Sequence, residues 1–153
     1  MKHRSRKIAI SACLLGERCR YDGRDNYDAL LLSHLSDATL IPFCPEAHAF
    51  GTPRPTMDLV ETPSGIKAIS NESGEVLSAP LEAYAKRFFD SHEKIDLLIG
   101  KDRSPSCGVC SARVYSTDKT LLRDTEAGLM VKEACKRGIK RVDAEMYGRW
   151  LKG

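Results

Sequence analysis

Short apolar runs alternate with amphipathic segments along the chain. Residues 66–70 lie between turn-forming residues and predict an edge strand or half of a hairpin. Five other runs have the length and composition of strands: 7–12, 38–43, 95–99, 112–115 and 139–142. Between them, residues 51–58 are rich in proline and predict an irregular surface or pocket segment.

Four segments carry apolar residues at helical spacing, and a capping residue precedes most of them. Leu30, Cys135 and Trp150 fall on faces that we expect to be buried. The helices are predicted from Asn26 to about Leu35, from Ser78, from Thr125 to Gly138, and over 143–151. Strands that alternate with helices favour an α/β fold. We expect three layers, a mainly parallel sheet with helices on both faces, in a Rossmann-like or flavodoxin-like arrangement.

The length and charge are those of one small domain without a large basic surface. With 153 residues, the chain divides into a basic tail, 1–7, and a single α/β domain, 8–153. The tail cations account for the net charge of +3: Lys2, Arg4, Arg6 and Lys7. Nucleic acid is therefore an unlikely partner, because phosphate contacts require clustered cations. The sequence leaves the oligomeric state open.

No segment has the pattern of a signal peptide or a membrane helix. Ser11 interrupts the first apolar run, which is shorter than the roughly 7–15 apolar residues that a signal peptide needs. No later run approaches the roughly 20 residues of a membrane helix. We expect a cytoplasmic protein without membrane contact. In that compartment its six cysteines are thiols or metal ligands rather than disulfides.

Three cysteines lie at or just past the ends of predicted strands: Cys13, Cys44 and Cys107. In parallel sheets the carboxyl ends of the strands form the ligand-binding edge, so the three thiols converge if their strands are neighbours. Three thiolates leave one coordination position open, whereas four close a structural zinc site. Thiolates select zinc, copper(I) or iron-sulfur clusters, and the spacing alone does not choose among these.

Two further cysteines leave alternatives open. Cys107 and Cys110 form the one C-x2-C pair, which is typical of half a zinc site, of a redox dithiol, or of one ligand beside a spectator. Cys19 is either a fourth candidate ligand or a thiol on a polar loop.

Glu46 follows Cys44 by two residues, and Ser104 precedes Cys107 by three. A carboxylate and a hydroxyl beside a metal site suit acid-base chemistry on a bound ligand. The alternative is that Glu46 forms an ion pair with Lys101 or Arg103 at the end of the sheet.

Five ordered blocks resemble the signatures of a small bacterial family, once catalogued as a domain of unknown function, that includes the thiouracil desulfidases. The resemblance extends from residue 8 to about 135. The blocks are Ile-Ser-Ala-Cys13-Leu-Leu-Gly, Cys19-Arg-Tyr-Asp-Gly23, Pro42-Phe-Cys44-Pro-Glu46, Thr-Pro-Arg54-Pro and Lys101-Asp-Arg-Ser-Pro-Ser-Cys107-Gly.

This resemblance implies a 4Fe-4S cluster held by Cys13, Cys44 and Cys107, with one iron free to bind the sulfur of a small thiolated pyrimidine. Water then replaces the sulfur, with Glu46 activating the water or moving a proton and Ser104 orienting substrate or water. The resemblance also implies substrate-binding residues at Ser11, Arg20, Tyr21, Asp22, Arg54, Lys101 and Ser106.

The chain departs from the family pattern over residues 47–58. Ala47-His48-Ala49-Phe50-Gly51 stands where the family has Gly-Gly-Leu or similar, and Pro55-Thr-Met-Asp58 lacks the expected second proline and glutamate. These differences leave the cluster prediction unchanged and leave the substrate open, a thiolated pyrimidine of tRNA included. Two other functions stay open: a non-catalytic metal or iron-sulfur binding module, and a Cys107/Cys110 dithiol redox protein.

Overall fold

The computed structural model describes residues 5–152, and the first four residues of the predicted tail, with Lys2 and Arg4, lie outside the described residues. The strands are β1 (Lys7–Ser11), β2 (Thr39–Phe43), β3 (Met57–Thr62), β4 (Gly65–Ser70), β5 (Leu97–Gly100), β6 (Ala112–Tyr115), β7 (Leu121–Glu126) and β8 (Arg141–Asp143). The helices are α1 (Ala29–Ser33), α2 (Pro45–Phe50), α3 (Ser78–Ser91), α4 (Leu129–Lys136) and α5 (Ala144–Lys152).

Four strands form a parallel sheet in the order β2-β1-β5-β8. This sheet confirms the α/β prediction. The chain runs from β1 outward to β2 and then returns to β5 on the other side of β1, so the strand order reverses between β1 and β5. In open α/β sheets, ligands bind at the carboxyl ends of the strands beside such a reversal.

The central strands β1 and β5 are buried on both faces. Successive side chains of a strand point to opposite faces of the sheet, so neighbouring residues enter two different apolar clusters. Ala9 and Leu98 belong to an apolar cluster with residues of α3 and α4. Ile10 and Ile99 belong to a second cluster, which includes Leu31 of α1 and residues of α5. The finer expectation of three layers in a Rossmann-like or flavodoxin-like arrangement stays a prediction.

A second sheet, which we call the mixed sheet, was not predicted. Its order is β4-β3-β6-β7, with β3 and β6 parallel and the outer pairs antiparallel. Strand β4 confirms the strand predicted at 66–70. The prediction of a helix cap at Thr125 is wrong, because Thr125 lies inside β7 and α4 begins after Gly128. β7 is mostly exposed and therefore carries no alternating apolar pattern.

The other two predicted caps are also wrong. The carboxylate of Asp28, not Asn26, accepts the Leu31 N–H at 3.0 Å and caps α1. Ser78 lies in the first turn of α3, where its hydroxyl accepts the Ala68 N–H at 2.9 Å and so ties the helix to the mixed sheet. Helix α1 is therefore capped by a residue nearer to its first turn than Asn26. The hydroxyl expected to cap α3 forms a hydrogen bond with a strand instead.

Three side chains expected in the core are exposed. Leu30 is 59% exposed, because α1 is a short helix that buries Leu31 instead. Cys135 is exposed and accepts a hydrogen bond from Arg141 Nη2 at 3.0 Å. Trp150 is 61% exposed, since Tyr147 is the aromatic residue of α5 that packs on the sheet. Within residues 5–152, no helix combines the length and the hydropathy that a membrane crossing requires.

Candidate active site

A cavity of about 500 Å³ lies at the carboxyl ends of the parallel strands and extends to the mixed sheet. Residues at the end of β1 and after β1, β2 and β5 line one side of it: Ser11, Cys13, Cys44, Glu46, Lys101, Ser104 and Cys107. Residues in or beside the strands of the mixed sheet line the other: Thr56, Met57, Asp58, Asn71 and Arg113.

Each of the three expected thiols reaches this cavity from the end of its strand. Cys13 lies on a 3₁₀ turn, Ala12–Leu15, that directly follows β1, and Cys44 is the residue after β2. Cys107 lies on the loop after β5, which folds back so closely that a Cβ on Gly100 would lie 1.9 Å from the Cys107 carbonyl oxygen. Only glycine permits this approach, and it brings the third thiol over the strand ends.

Cys19 adds a fourth thiol to the cavity. Its side chain forms hydrogen bonds with those of Cys13 and Cys44. The hydrogen bond from Cys19 lowers the pKa of Cys13 to about 7 and also lowers the pKa of Cys44, in each case against the effect of burial. The same contacts raise the pKa of Cys19. Burial, together with the nearby Cys44, raises the pKa of Cys107. Deprotonation to the thiolate, the form that binds metal, is thus easier for Cys13 and Cys44 than for an ordinary cysteine.

Glu46 lies in the first turn of α2, and its side chain is 16% exposed. Its Oε2 accepts a hydrogen bond of 2.8 Å from the Ser106 hydroxyl. Its Oε1 lies 3.7 Å from Nε of Arg54, which is the cation that faces it. The alternative of a pair with Arg103 is not observed, because Arg103 forms two 3.0 Å hydrogen bonds with Glu145.

Arg54 is held almost entirely inside the protein. Its Nη2 donates to the Cys19 carbonyl oxygen at 2.9 Å, and its Nη1 donates to the Gly51 carbonyl oxygen at 3.0 Å. Its Nε is buried and has no hydrogen-bond partner among residues 5–152. A fixed guanidinium therefore faces the Glu46 carboxylate across the edge of the cavity.

Ser104 shapes the backbone of the loop that carries Cys107. Its hydroxyl oxygen accepts the N–H of Ser106 at 3.2 Å and the N–H of Cys107 at 3.0 Å. A serine oxygen has two acceptor positions and one hydrogen. With both acceptor positions used by the backbone, Ser104 can act only as a donor toward the cavity that it lines.

The structure brings together most of the other predicted substrate-binding residues. Ser11, Arg20, Tyr21, Arg54 and Lys101 all line the cavity. The Ser11 hydroxyl accepts the Lys101 N–H at 2.9 Å and so joins the end of β1 to the loop after β5.

Two predicted residues do not line the cavity. Asp22 lies outside it and forms an ion pair of 3.4 Å with Arg20, whose Nη1 also donates to Asn26. Ser106 is fully buried beneath the cavity wall, in contact with Glu46.

Sequence reasoning missed Asp143, which fixes the far side of the Cys107 loop. Its carboxylate accepts the N–H groups of Val109 at 2.8 Å and Cys110 at 2.9 Å, and the Ser111 hydroxyl at 2.8 Å. A signal was present, because Asp143 directly follows a predicted strand, 139–142, as Cys13 follows 7–12. Thr56 and Asp58 belong to the segment 51–58, which was predicted to run over the surface or line a pocket, whereas Asn71 and Arg113 had no such signal.

The chain is similar to known proteins over most of its length. A family model described as 2-thiouracil desulfurase matches residues 8–145, which include every residue that lines the cavity. The uncharacterized protein YbbK of Bacillus subtilis (strain 168) is 30% identical over 109 residues, which are 66% of this chain and 72% of YbbK. The solved structure of the 4Fe-4S-dependent thiouracil desulfidase TudS matches with a TM-score of 0.75 and 25% identity, over 95% of both chains.

Proposed function

The chain belongs to the 2-thiouracil desulfurase family and is a desulfidase, and from that premise we propose that it exchanges the sulfur of a small thiolated pyrimidine for oxygen from water at a 4Fe-4S cluster. In this proposal Cys13, Cys44 and Cys107 hold the cluster, as the resemblance to the family implies. The observation that carries it is that these three thiols share one cavity with Glu46 and Ser104.

The donor set fits such a cluster. The cavity offers soft thiol ligands, which iron-sulfur clusters require, and all of them are free of disulfides. Within residues 5–152, no three His, Cys, Asp or Glu side chains are grouped to hold one metal ion. A cluster needs no such grouping, because each cysteine binds a different iron. When bound by three cysteines, it supplies one open iron as a Lewis acid with high affinity for sulfur.

The residues around the thiols then have separate roles. Glu46 takes a proton from the attacking water, since its carboxylate lies at the cavity edge and is already oriented by Ser106. Ser104 donates a hydrogen bond to substrate or water, because its oxygen is occupied by two backbone N–H groups. Arg54 places a positive charge beside Glu46. No net oxidation or reduction is required.

The rival functions have less support. A carrier or sensor of metal has no use for a carboxylate and a hydroxyl donor directed at the same cavity. A dithiol redox protein needs two accessible, adjacent thiols, whereas Cys107 is buried and Cys110 is exposed and outside the lining. A cytoplasmic location and a free pyrimidine rather than nucleic acid as substrate stay predictions.

The test is anaerobic purification with iron and sulfide analysis, followed by a thiouracil assay. We expect a broad visible absorption band, about four iron and four sulfide per chain, and conversion of thiouracil to uracil with release of hydrosulfide. In water enriched in ¹⁸O, the label should enter the uracil carbonyl. A protein that stays colourless after anaerobic reconstitution, or that holds zinc, would contradict the proposal.

A further inference from the structure

We propose that Ser106 positions the Glu46 carboxylate, so that Oε1 is the oxygen that takes the proton from the attacking water. This inference rests on the proposed function and replaces the substrate-binding role that the family resemblance implied for Ser106.

Burial and hydrogen bonding exclude direct contact between Ser106 and a ligand. Ser106 is 0% exposed and does not line the cavity. Its hydroxyl has one hydrogen, which is donated to Oε2 of Glu46 at 2.8 Å. A bond from a hydroxyl to a carboxylate is charge-assisted and stronger than one between neutral groups. Ser106 therefore acts on the reaction through Glu46.

Ser106 is itself held rigidly, as a positioning residue must be. Its N–H donates to the Ser104 hydroxyl at 3.2 Å, and its carbonyl oxygen accepts the Met130 N–H at 3.0 Å. Gly128 passes so close that a Cβ there would lie 2.4 Å from the Ser106 carbonyl carbon. The start of α4 thus fixes the serine backbone, and the direction of its hydroxyl follows.

The two oxygens of Glu46 are consequently different. Oε2 is occupied by Ser106, whereas Oε1 has no hydrogen-bond donor within reach among the described residues. The nearest charged group, Arg54 Nε, lies 3.7 Å from Oε1, which is too long for a hydrogen bond. Oε1 is the oxygen whose lone pairs are available to water at the cavity edge.

The reaction balances with this assignment. The water oxygen forms a bond to the carbon that carries sulfur, and one water proton passes to Oε1. As the water oxygen adds, the π pair of the carbon–sulfur double bond moves onto sulfur. The new hydroxyl then gives the second water proton to sulfur as the carbon–oxygen double bond forms, and the remaining carbon–sulfur bond breaks with its electron pair on sulfur, which leaves as hydrosulfide. Glu46 then returns its proton to solvent, so no oxidant or reductant is consumed.

The experiment compares Ser106→Ala and Ser106→Thr with Ser78→Ala, all loaded anaerobically. Ser78 is the matched control, because it is also a buried serine with one hydrogen bond, and it lies outside the cavity lining. For Ser106→Ala we expect kcat to fall about tenfold to a hundredfold, part of what general base catalysis contributes, while KM and the visible spectrum stay unchanged. Ser106→Thr should recover most of kcat, and Ser78→Ala should keep all of it.

Crystal structures of the same variants give a readout that does not depend on activity. The Glu46 carboxylate should rotate in Ser106→Ala and keep its orientation in Ser106→Thr and Ser78→Ala. A raised KM with unchanged kcat in Ser106→Ala, or an unmoved carboxylate, would overturn the inference. Failure of the proposed function is seen separately, as a wild-type enzyme that carries the cluster and does not turn over thiouracil.

Discussion

The two sheets contribute different things to one cavity. The thiols Cys13, Cys44 and Cys107 lie on segments that follow strands of the parallel sheet, and Glu46 and Ser104 lie on the same segments. The mixed sheet contributes no thiol; its contribution is a polar wall that includes Asn71 and Arg113. The reactive groups and the recognition groups therefore come from separate sheets.

The difference follows from burial. Ile8, Ala9 and Ile10 of β1 are completely buried, so packing on both faces fixes the ends of the parallel strands. The mixed sheet has an exposed edge at β7, and its wall side chains line the cavity. Changes at the parallel strand ends should abolish the chemistry, whereas changes in the mixed sheet should alter affinity.

The largest effect is expected for Cys107→Ser. Loss of one of three thiolates should remove the cluster and all desulfidase activity, because the variant chain has no equivalent soft ligand at the end of β5. Iron analysis and the visible spectrum measure the loss. Cys110→Ser is the control and should keep both cluster and activity. The reverse result would favour the dithiol function.

A large effect on stability is expected for Asp143→Ala. The substitution leaves the N–H groups of Val109 and Cys110 without their acceptor, and each buried unpaired donor costs about 1–3 kcal/mol. The free energy of unfolding, measured with denaturant on the apo protein, should fall by at least one such penalty, because the Val109 N–H is buried and the Cys110 N–H is partly buried. Ser78→Ala, which removes one hydrogen bond elsewhere in the protein, should lower the free energy of unfolding by less.

An intermediate effect is expected for Asn71→Ala and Arg113→Ala in the mixed sheet. Each should raise KM for the thiolated pyrimidine by about tenfold, the equivalent of one lost polar contact of roughly 1.4 kcal/mol, with kcat and iron content unchanged. Steady-state kinetics on the loaded enzyme provide the measurement. A drop in kcat with constant KM would show that the mixed sheet contributes to the chemical step rather than to substrate affinity.

The smallest effect is expected at the surface, for Glu145→Gln beside the parallel sheet. The Arg103 guanidinium lowers the pKa of Glu145 from 4.5 to about 2. A folded-state pKa below the unfolded value stabilises the fold above about pH 4.5, and this stabilisation disappears as the pH falls toward 2. Because the ion pair is exposed, the free energy of unfolding of the wild type should exceed that of the variant by at most about 1 kcal/mol at pH 7. The difference in unfolding free energy between wild type and Glu145→Gln should shrink as the pH is lowered from 7 to 2. A difference that stays constant over this range would contradict the prediction.

The local sequence was sufficient for the buried strands and for the thiols at their ends. The apolar runs before Cys13 and Cys107 predict strands because burial on both faces leaves a signal within five or six residues, and the run before Cys44 is apolar enough to predict an edge strand that is only partly buried. The ordered blocks around these cysteines were sufficient for the family. Strand β7 left no such signal, since most of its side chains are exposed, and Thr125 was therefore assigned to a helix cap.

Only the tertiary structure decided which groups meet. Ser106 and Glu46 are 60 residues apart, and Asp143 is 33 residues from Cys110, so neither contact follows from local spacing. The wall of the mixed sheet depends on the pairing of β3 with β6, two strands between which β4, α3 and β5 lie in the sequence. Side-chain direction along a strand is a local property, but partners across the cavity depend on strand order, which long-range packing determines.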